Sequence, residues 1–341
     1  MSLKEIAHRA GTSVSTVSRV LNQPNYKCKN PELEARIWAA AQEISYTPNT
    51  AAQTLKSGAP QIKTTPLTFD IFLTRFPSLS QDLFFSELFE SLKKELLRQQ
   101  CVPGKFLTLP EVTSMLKEKS SFSVTDTHAD GIILLGKCPA ELISTLQNHY
   151  HNIVGIDRNP TNFDYDEVIC SGTTAAVTAM NYLISLGHKK IAYIGDCTYE
   201  SRYIGYYQAL LNHRIPLDYN FVYPSTQTES EGFQIMNRIL TSNNRPTAVF
   251  CANDCTAIGV LKSIKMSKKR GYHPSVISID NIRESEHTSP LLTTINIPKK
   301  QMAHLALMLL LDQRKGEHKE CVRIELPSRL IKRDSCSYSP Y

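Results

Sequence analysis

No run of about 18 consecutive apolar residues occurs in the chain, so no membrane-spanning helix is expected. No basic-then-apolar leader precedes the first helical pattern, and the protein is expected to stay in the cytoplasm. Nine cysteines, at positions 28, 101, 138, 170, 197, 251, 255, 321 and 336, make an odd and scattered set without a Cys-x-x-Cys pair. That pattern argues against a disulfide framework and against a zinc cage, and leaves buried reduced thiols as the expectation. Cys251 and Cys255 flank Ala252-Asn253-Asp254 but lack a second ligand pair, so neither a metal nor a cofactor is expected. There is no Walker phosphate loop and no Gly-x-Gly-x-x-Gly, and the acidic groupings lack metal-ligand spacing, which leaves little to support an enzyme. Low-complexity tracts and short-period repeats are also missing. What remains is 341 residues with 41% hydrophobic content, enough for a sizeable core.

The N-terminus carries the most specific pattern. Ser2 stands three residues before Glu5, the spacing of a capping box, and Leu3, Ile6, Ala7 and Ala10 recur on one helical face before Gly11 ends it. Ser13 is placed to cap a second helix in which Val17, Val20 and Leu21 share the inner face. Val14, Ser15, Ser18, Arg19 and Asn22 are left pointing outward, a small polar face that fits a DNA major groove, with Arg19 the leading candidate to pair with a guanine. The same residues would also suit a surface hairpin with a solvated side. Asn30-Pro31 opens a third helix lined by Leu33, Ile37, Ala40 and Ile44, and Asn49 caps a short segment, 50–57, stopped by Gly58 and Pro60. That segment is too short to be stable alone. Residues 1–60 hold seven Lys and Arg against four Glu, so half of the net charge of +6 sits there, as phosphate contacts would require.

With these motifs the chain resembles the LacI/GalR family of bacterial transcription regulators. The likeness runs through residues 3–7, the recognition helix Val14-Ser15-Thr16-Val17-Ser18-Arg19-Val20-Leu21-Asn22, and the hinge Tyr46-Thr47-Pro48-Asn49 with Ala51-Ala52-Gln53-Thr54-Leu55-Lys56. The resemblance implies DNA contacts at Val14, Ser15, Thr16, Arg19, Asn22, Leu55 and Lys56. Leu55 would be the wedge between base pairs in the minor groove. It also implies binding to double-stranded operator DNA as a homodimer, with a tetramer left open.

Beyond residue 66, short Ile/Val-rich stretches at 69–74, 131–135, 153–156, 190–194, 248–251, 276–279, 293–297 and 322–326 alternate with helical patterns at 84–99, 173–186, 231–240 and 301–311. This alternation indicates two buried parallel sheets. Asp130-Gly131-Ile132-Ile133, Ile156-Asp157-Arg158, Leu186-Gly187-His188, Arg202-Tyr203-Ile204-Gly205, Cys251-Ala252-Asn253-Asp254 and Ile279-Asp280 match landmarks of the family core, which looks like a periplasmic sugar-binding protein. The expected fold class is a small all-α helix-turn-helix headpiece joined to an α/β core of two periplasmic-binding-protein-like lobes. The expected divisions are a headpiece over 1–47, a hinge and linker over 48–66, an N-terminal lobe over 67–168 and 291–315, and a C-terminal lobe over 169–290 and 316–341. Crossings between the lobes would fall near Ile169, Leu291 and Gly316.

In open α/β sheets, ligands bind beyond the carboxyl ends of the strands, and Asp157, Asn253 and Asp280 each follow such a stretch. By resemblance, Asp157, Arg202, Asn253 and Asp280 are effector contacts, with Phe84 and Phe85 as the aromatic pair at the pocket mouth. Carboxylates, amides and an arginine suit a polyhydroxylated ligand. One departure stands out: Gln227 occupies the place, five residues before Gly232-Phe233, where family members often carry an aromatic platform. The functional expectation is a repressor of a carbohydrate-use operon released by a sugar. Control by a corepressor or a partner protein stays open, and a sugar-modifying enzyme carrying a DNA-binding module is the remaining alternative.

Overall fold

The computed structural model describes residues 3–22, 28, 30–43, 66–74, 77–117, 129–161, 164–198, 200–267 and 271–340. They belong to two compact units, 1–65 and 66–341.

In the first unit, α1 (Leu3–Ala10), α2 (Val14–Asn22) and α3 (Pro31–Glu43) pack around Ile6, Ala7, Ala10, Val17, Val20, Leu21, Ile37 and Ala40. Helix α1 ends as its sequence indicates. Gly11 takes φ +64°, its N–H donates to the His8 carbonyl, and the Thr12 N–H reaches back to Ala7, a Schellman closure that a side chain at Gly11 would strain. The Ser13 hydroxyl accepts from the Thr16 N–H at 3.2 Å and so caps α2. The Asn30 side chain accepts from the Glu32 and Leu33 N–H groups at 3.0 and 3.2 Å and does the same for α3. Ser2, Ile44, Leu55, Lys56 and the rest of the hinge lie outside the described residues.

The second unit is built on two sheets. In the first lobe, β1 (Thr68–Leu73), β2 (Val102–Thr108), β3 (Gly131–Leu135), β4 (Ile153–Asp157), β5 (Asp166–Ile169) and β11 (Arg323–Glu325) lie in the order β11-β5-β4-β3-β1-β2, all parallel. In the second, β6 (Ile191–Gly195), β7 (Val222–Pro224), β8 (Ala248–Cys251), β9 (Ser275–Asp280), β10 (Thr293–Asn296) and β12 (Arg329–Ile331) lie in the order β12-β10-β9-β8-β6-β7. Only β12 runs antiparallel in this sheet. The helices that matter for the cleft are α4 (Leu83–Arg98), α7 (Gly172–Ser185), α8 (Ser201–Asn212), α9 (Glu229–Thr241), α10 (Asp254–Met266) and α11 (Lys299–Lys315); between α4 and α7 come α5 (Leu109–Lys117) and α6 (Ala140–His149). One continuous apolar cluster runs from Phe69 and Phe84 in the first lobe to Phe250 and Ile279 in the second.

Two lobe boundaries differ from those expected. Thr293–Asn296 pairs with β9 in the second sheet, so the chain leaves that lobe after Asn296 and not near Leu291. Arg323–Glu325 pairs with β5 in the first sheet, so the return falls after Glu325 and not at Gly316. Gly316, at φ +73°, is the left-handed cap of α11, which is why it reads as punctuation although the chain has not yet changed lobe. All nine cysteines are free, with Cys101, Cys138, Cys170 and Cys251 buried. Among the described residues no His/Cys/Asp/Glu group is arranged to hold a metal, and no helix is long and apolar enough to cross a membrane.

Candidate functional site

On α2, Val14 is 40% exposed and Ser15 and Arg19 are exposed beside it, while Val17, Val20 and Leu21 face the core. Thr16 is half-buried and its hydroxyl bonds to Ser13 at 2.8 Å. Asn22 is the last residue of the helix. The structure thus brings Val14, Ser15 and Arg19 onto one outward face. Nothing is described for Leu55 and Lys56.

The second candidate region is the cleft at the carboxyl ends of the two sheets. Arg158 follows β4 in the first lobe and Asp280 ends β9 in the second, and they meet in a buried ion pair of 2.6 Å. The Arg158 guanidinium lies 4.4 Å from the centre of the Phe84 ring and 3.9 Å from Asp82. Asp82 caps α4 by accepting from the Phe84 and Phe85 N–H groups at 2.9 and 3.3 Å, which fixes both rings. Phe84 and Phe85 are fully buried and meet edge to face at 5.1 Å, so they form a wall behind Arg158.

A second link joins the lobes at Glu87 on α4. Its carboxylate accepts from the Arg283 N–H at 2.8 Å and pairs with Lys299 at 3.2 Å. The Lys299 ammonium also donates to the Asp280 and Asn281 carbonyls at 2.6 and 3.1 Å. These bonds brace an unusual turn, since Asp280 and Asn281 have φ of +125° and +49°, which residues with a Cβ seldom adopt. From this turn the Asp280 carboxylate reaches across the cleft to Arg158.

Arg202 is fully buried in the first turn of α8. It donates from Nε to Glu200 at 2.7 Å, from Nη1 to the Ala252 carbonyl at 2.8 Å and from Nη2 to the Gln227 side-chain oxygen at 2.9 Å. Burial works against its charge, and the Glu200 carboxylate more than offsets that, so its pKa stands above the ordinary arginine value. Asn253 behaves chiefly as the cap of α10: its oxygen accepts from the Thr256 N–H and hydroxyl at 3.0 and 2.6 Å, and its amide donates to the Gln227 carbonyl at 3.0 Å. Asp157 ends β4, buried.

Gln227 has φ +69°, is nearly buried, and leaves its Nε2 without a hydrogen-bond partner. It lines a pocket of about 590 Å³ at the ends of β6 and β7 with Asp196, Cys197, Thr198, Ser225, Thr226 and Glu231. Asp254, beneath Asp280, is fully buried; burial and the neighbouring Asp280 push its carboxyl up to about 7 against hydrogen bonds from Ser278, Thr294 and the Ile282 N–H. Burial likewise raises Asp280, while Arg158 and Arg202 draw it back.

Sequence reasoning placed Asp157, Asn253 and Asp280 at strand ends and took Arg202 from the resemblance, but did not assign roles to Arg158, Asp254, Glu200 or Lys299. Arg158 was legible as the residue after a strand stretch, the same signal that singled out Asp157. Nothing local marks Lys299, which enters the cleft only because α11 begins there.

A helix-turn-helix unit with an exposed polar recognition face, joined to two α/β lobes whose strand ends meet across a cleft, defines a DNA-binding regulator with a ligand-binding-protein core. Residues 2–49 match the bacterial regulatory proteins of the lacI family and residues 180–336 match the periplasmic binding protein-like domain. The chain therefore carries a lacI-family DNA-binding domain and a periplasmic binding protein-like domain, and its homologues and structural neighbours are transcription regulators. It is 29% identical over 350 residues to the HTH-type transcriptional repressor PurR of Klebsiella pneumoniae, covering 100% of this chain and 98% of the relative. Among solved structures, a LacI family regulator from Enterococcus faecium with bound ribose is 26% identical, with a TM-score of 0.67 over 80% of this chain and 99% of the other. The regulator CelR in its cellobiose complex shares the fold at 22% identity, with a TM-score of 0.70 over 98% of this chain and 100% of the other.

Proposed function

We propose that two copies of the protein read a pseudo-palindromic operator and repress carbohydrate-use genes until a neutral sugar enters the cleft. Val14, Ser15, Thr16, Arg19 and Asn22 form the major-groove face, and Leu55 with Lys56 contributes the minor-groove tether. In the core, Arg202, Asp157, Asp280 and Gln227 line the effector site against the Phe84 and Phe85 wall, and Asn253 acts by holding Gln227. The observation that carries this reading is the state of the polar groups. Three cations of the cleft have a carboxylate partner, Arg158 with Asp280, Arg202 with Glu200 and Lys299 with Glu87. An anionic ligand would meet those carboxylates beside the cations, whereas hydroxyls both donate and accept, and one would supply the acceptor that Gln227 Nε2 lacks. The ribose bound by the Enterococcus faecium relative supports the same class of ligand.

The effector acts through its differential affinity for two lobe arrangements. A sugar that competes for Asp280 weakens the Arg158 bridge between the lobes and shifts the protein away from the DNA-binding arrangement. The test is operator binding by the purified protein titrated with neutral mono- and disaccharides. Release by one of them is the expected result; tighter binding would make the ligand a corepressor, and indifference to all of them would contradict a sugar effector.

A further inference from the structure

Helix α8 is apolar on two sides. Its inner face buries Tyr206, Ala209 and Leu210 in the second lobe, as any core helix does. Its outer face presents Ile204, Tyr207 and Leu211, 51%, 42% and 56% exposed, at i, i+3 and i+7, so the three side chains form one continuous stripe. Tyr219, 76% exposed in the short 3-10 turn Tyr219–Phe221, adds a further exposed ring on the segment that follows the helix. Single exposed apolar residues are ordinary, but an ordered row of them bounded by polar residues marks a surface that meets something.

The charge around the stripe indicates what it meets. Helix α8 carries no acidic residue. At its C-terminal end, exposed Lys189, Lys190, His213 and Arg214 line a groove of about 550 Å³, with Asp218 as its one acidic lining residue. A second copy of the chain would bring these like charges together across a two-fold contact, which opposes self-association through this face. We infer that the outer face of α8 docks an acidic protein segment bearing an apolar stripe of its own, in the manner of an amphipathic helix laid along a groove. The first turn of the same helix holds Arg202 in the cleft, so a docked partner and a bound effector would bear on one rigid element.

A fluorescent designed peptide, helical, with a leucine stripe flanked by glutamates, tests this against the full-length protein by anisotropy. A twin with lysines in place of the glutamates serves as the control. Saturable binding of the acidic peptide alone is expected, weakened by added salt, and weakened about tenfold or more by Leu211→Glu and by Lys190→Glu combined with Arg214→Glu. These positions are exposed, so thermal unfolding of the variants should match the parent. The inference is overturned by equal binding of both peptides, by no binding of either, by affinity unchanged in the variants, by a fall in sedimentation mass with Leu211→Glu that reveals a second copy on this face, or by binding to anionic phospholipid vesicles without binding to the acidic peptide.

Discussion

At Asp254 burial and hydrogen bonding pull one carboxyl in opposite directions. Burial favours the neutral acid, the nearby Asp280 adds to that, and three donors from Ser278, Thr294 and Ile282 favour the anion. The outcome, a pKa raised from 3.8 to about 7, means that the folded protein keeps a proton that the unfolded chain loses first. The stabilisation from this group is therefore complete below about 3.8 and lost as pH rises through about 7. Compared with Asp254→Asn, the parent should lose unfolding free energy across that window by up to about 1.4 kcal/mol per pH unit. Urea unfolding of both proteins at several pH values checks this, and parallel profiles would show that Asp254 does not hold its proton. Burial raises both carboxyls of this pair, and Asp280 differs from Asp254 in having the cations Arg158, Arg202 and Lys299 to draw it back.

Among elements, those with strong periodicity and caps were legible and those fixed by distant partners were not. Helices α1, α2 and α3 follow from Gly11, Ser13 and Asn30 and from apolar residues every three or four positions, and the structure places those residues in one core. The Asn30 cap serves two N–H groups of α3, so Asn30→Ala should destabilise the headpiece by about 1 kcal/mol, read from its thermal unfolding and from faster amide exchange at Glu32 and Leu33. An unchanged melting curve would mean that the helix does not depend on that cap. Strands 131–135 and 248–251 stood out because four or five apolar residues run together. β2 did not, since Pro103, Gly104 and Lys105 belong to an exposed edge strand where such residues are tolerated. Nor did β5, whose Asp166 and Glu167 are buried by bonds arriving from Val322, His318 and Arg323, more than 150 positions away. β7 and β12, three residues each, are too short to show a period. For the cleft, position after a strand was visible in the sequence, but partnership was not: that Arg202 is spent on Glu200 and Gln227, and Asn253 on Thr256, depends on side chains brought together only by the fold.

At the scale of the whole molecule, the core is two sheets joined by three crossings, after Ile169, Asn296 and Glu325, and pinned across the cleft by Arg158 on Asp280 and by Glu87 on Arg283 and Lys299. A ligand can shift the population of lobe arrangements where it exchanges such polar bonds across the cleft for bonds of its own. The account as a whole depends on a paired protein gripping DNA through α2. Selection of duplexes from a randomised pool by the intact protein and by Arg19→Ala measures this directly. The expected result is a two-fold symmetric motif for the parent, and the same motif for Arg19→Ala with one position in each half-site relaxed by about 1–3 kcal/mol. An asymmetric motif, no enrichment, or an identical motif bound uniformly more weakly by the variant would contradict it.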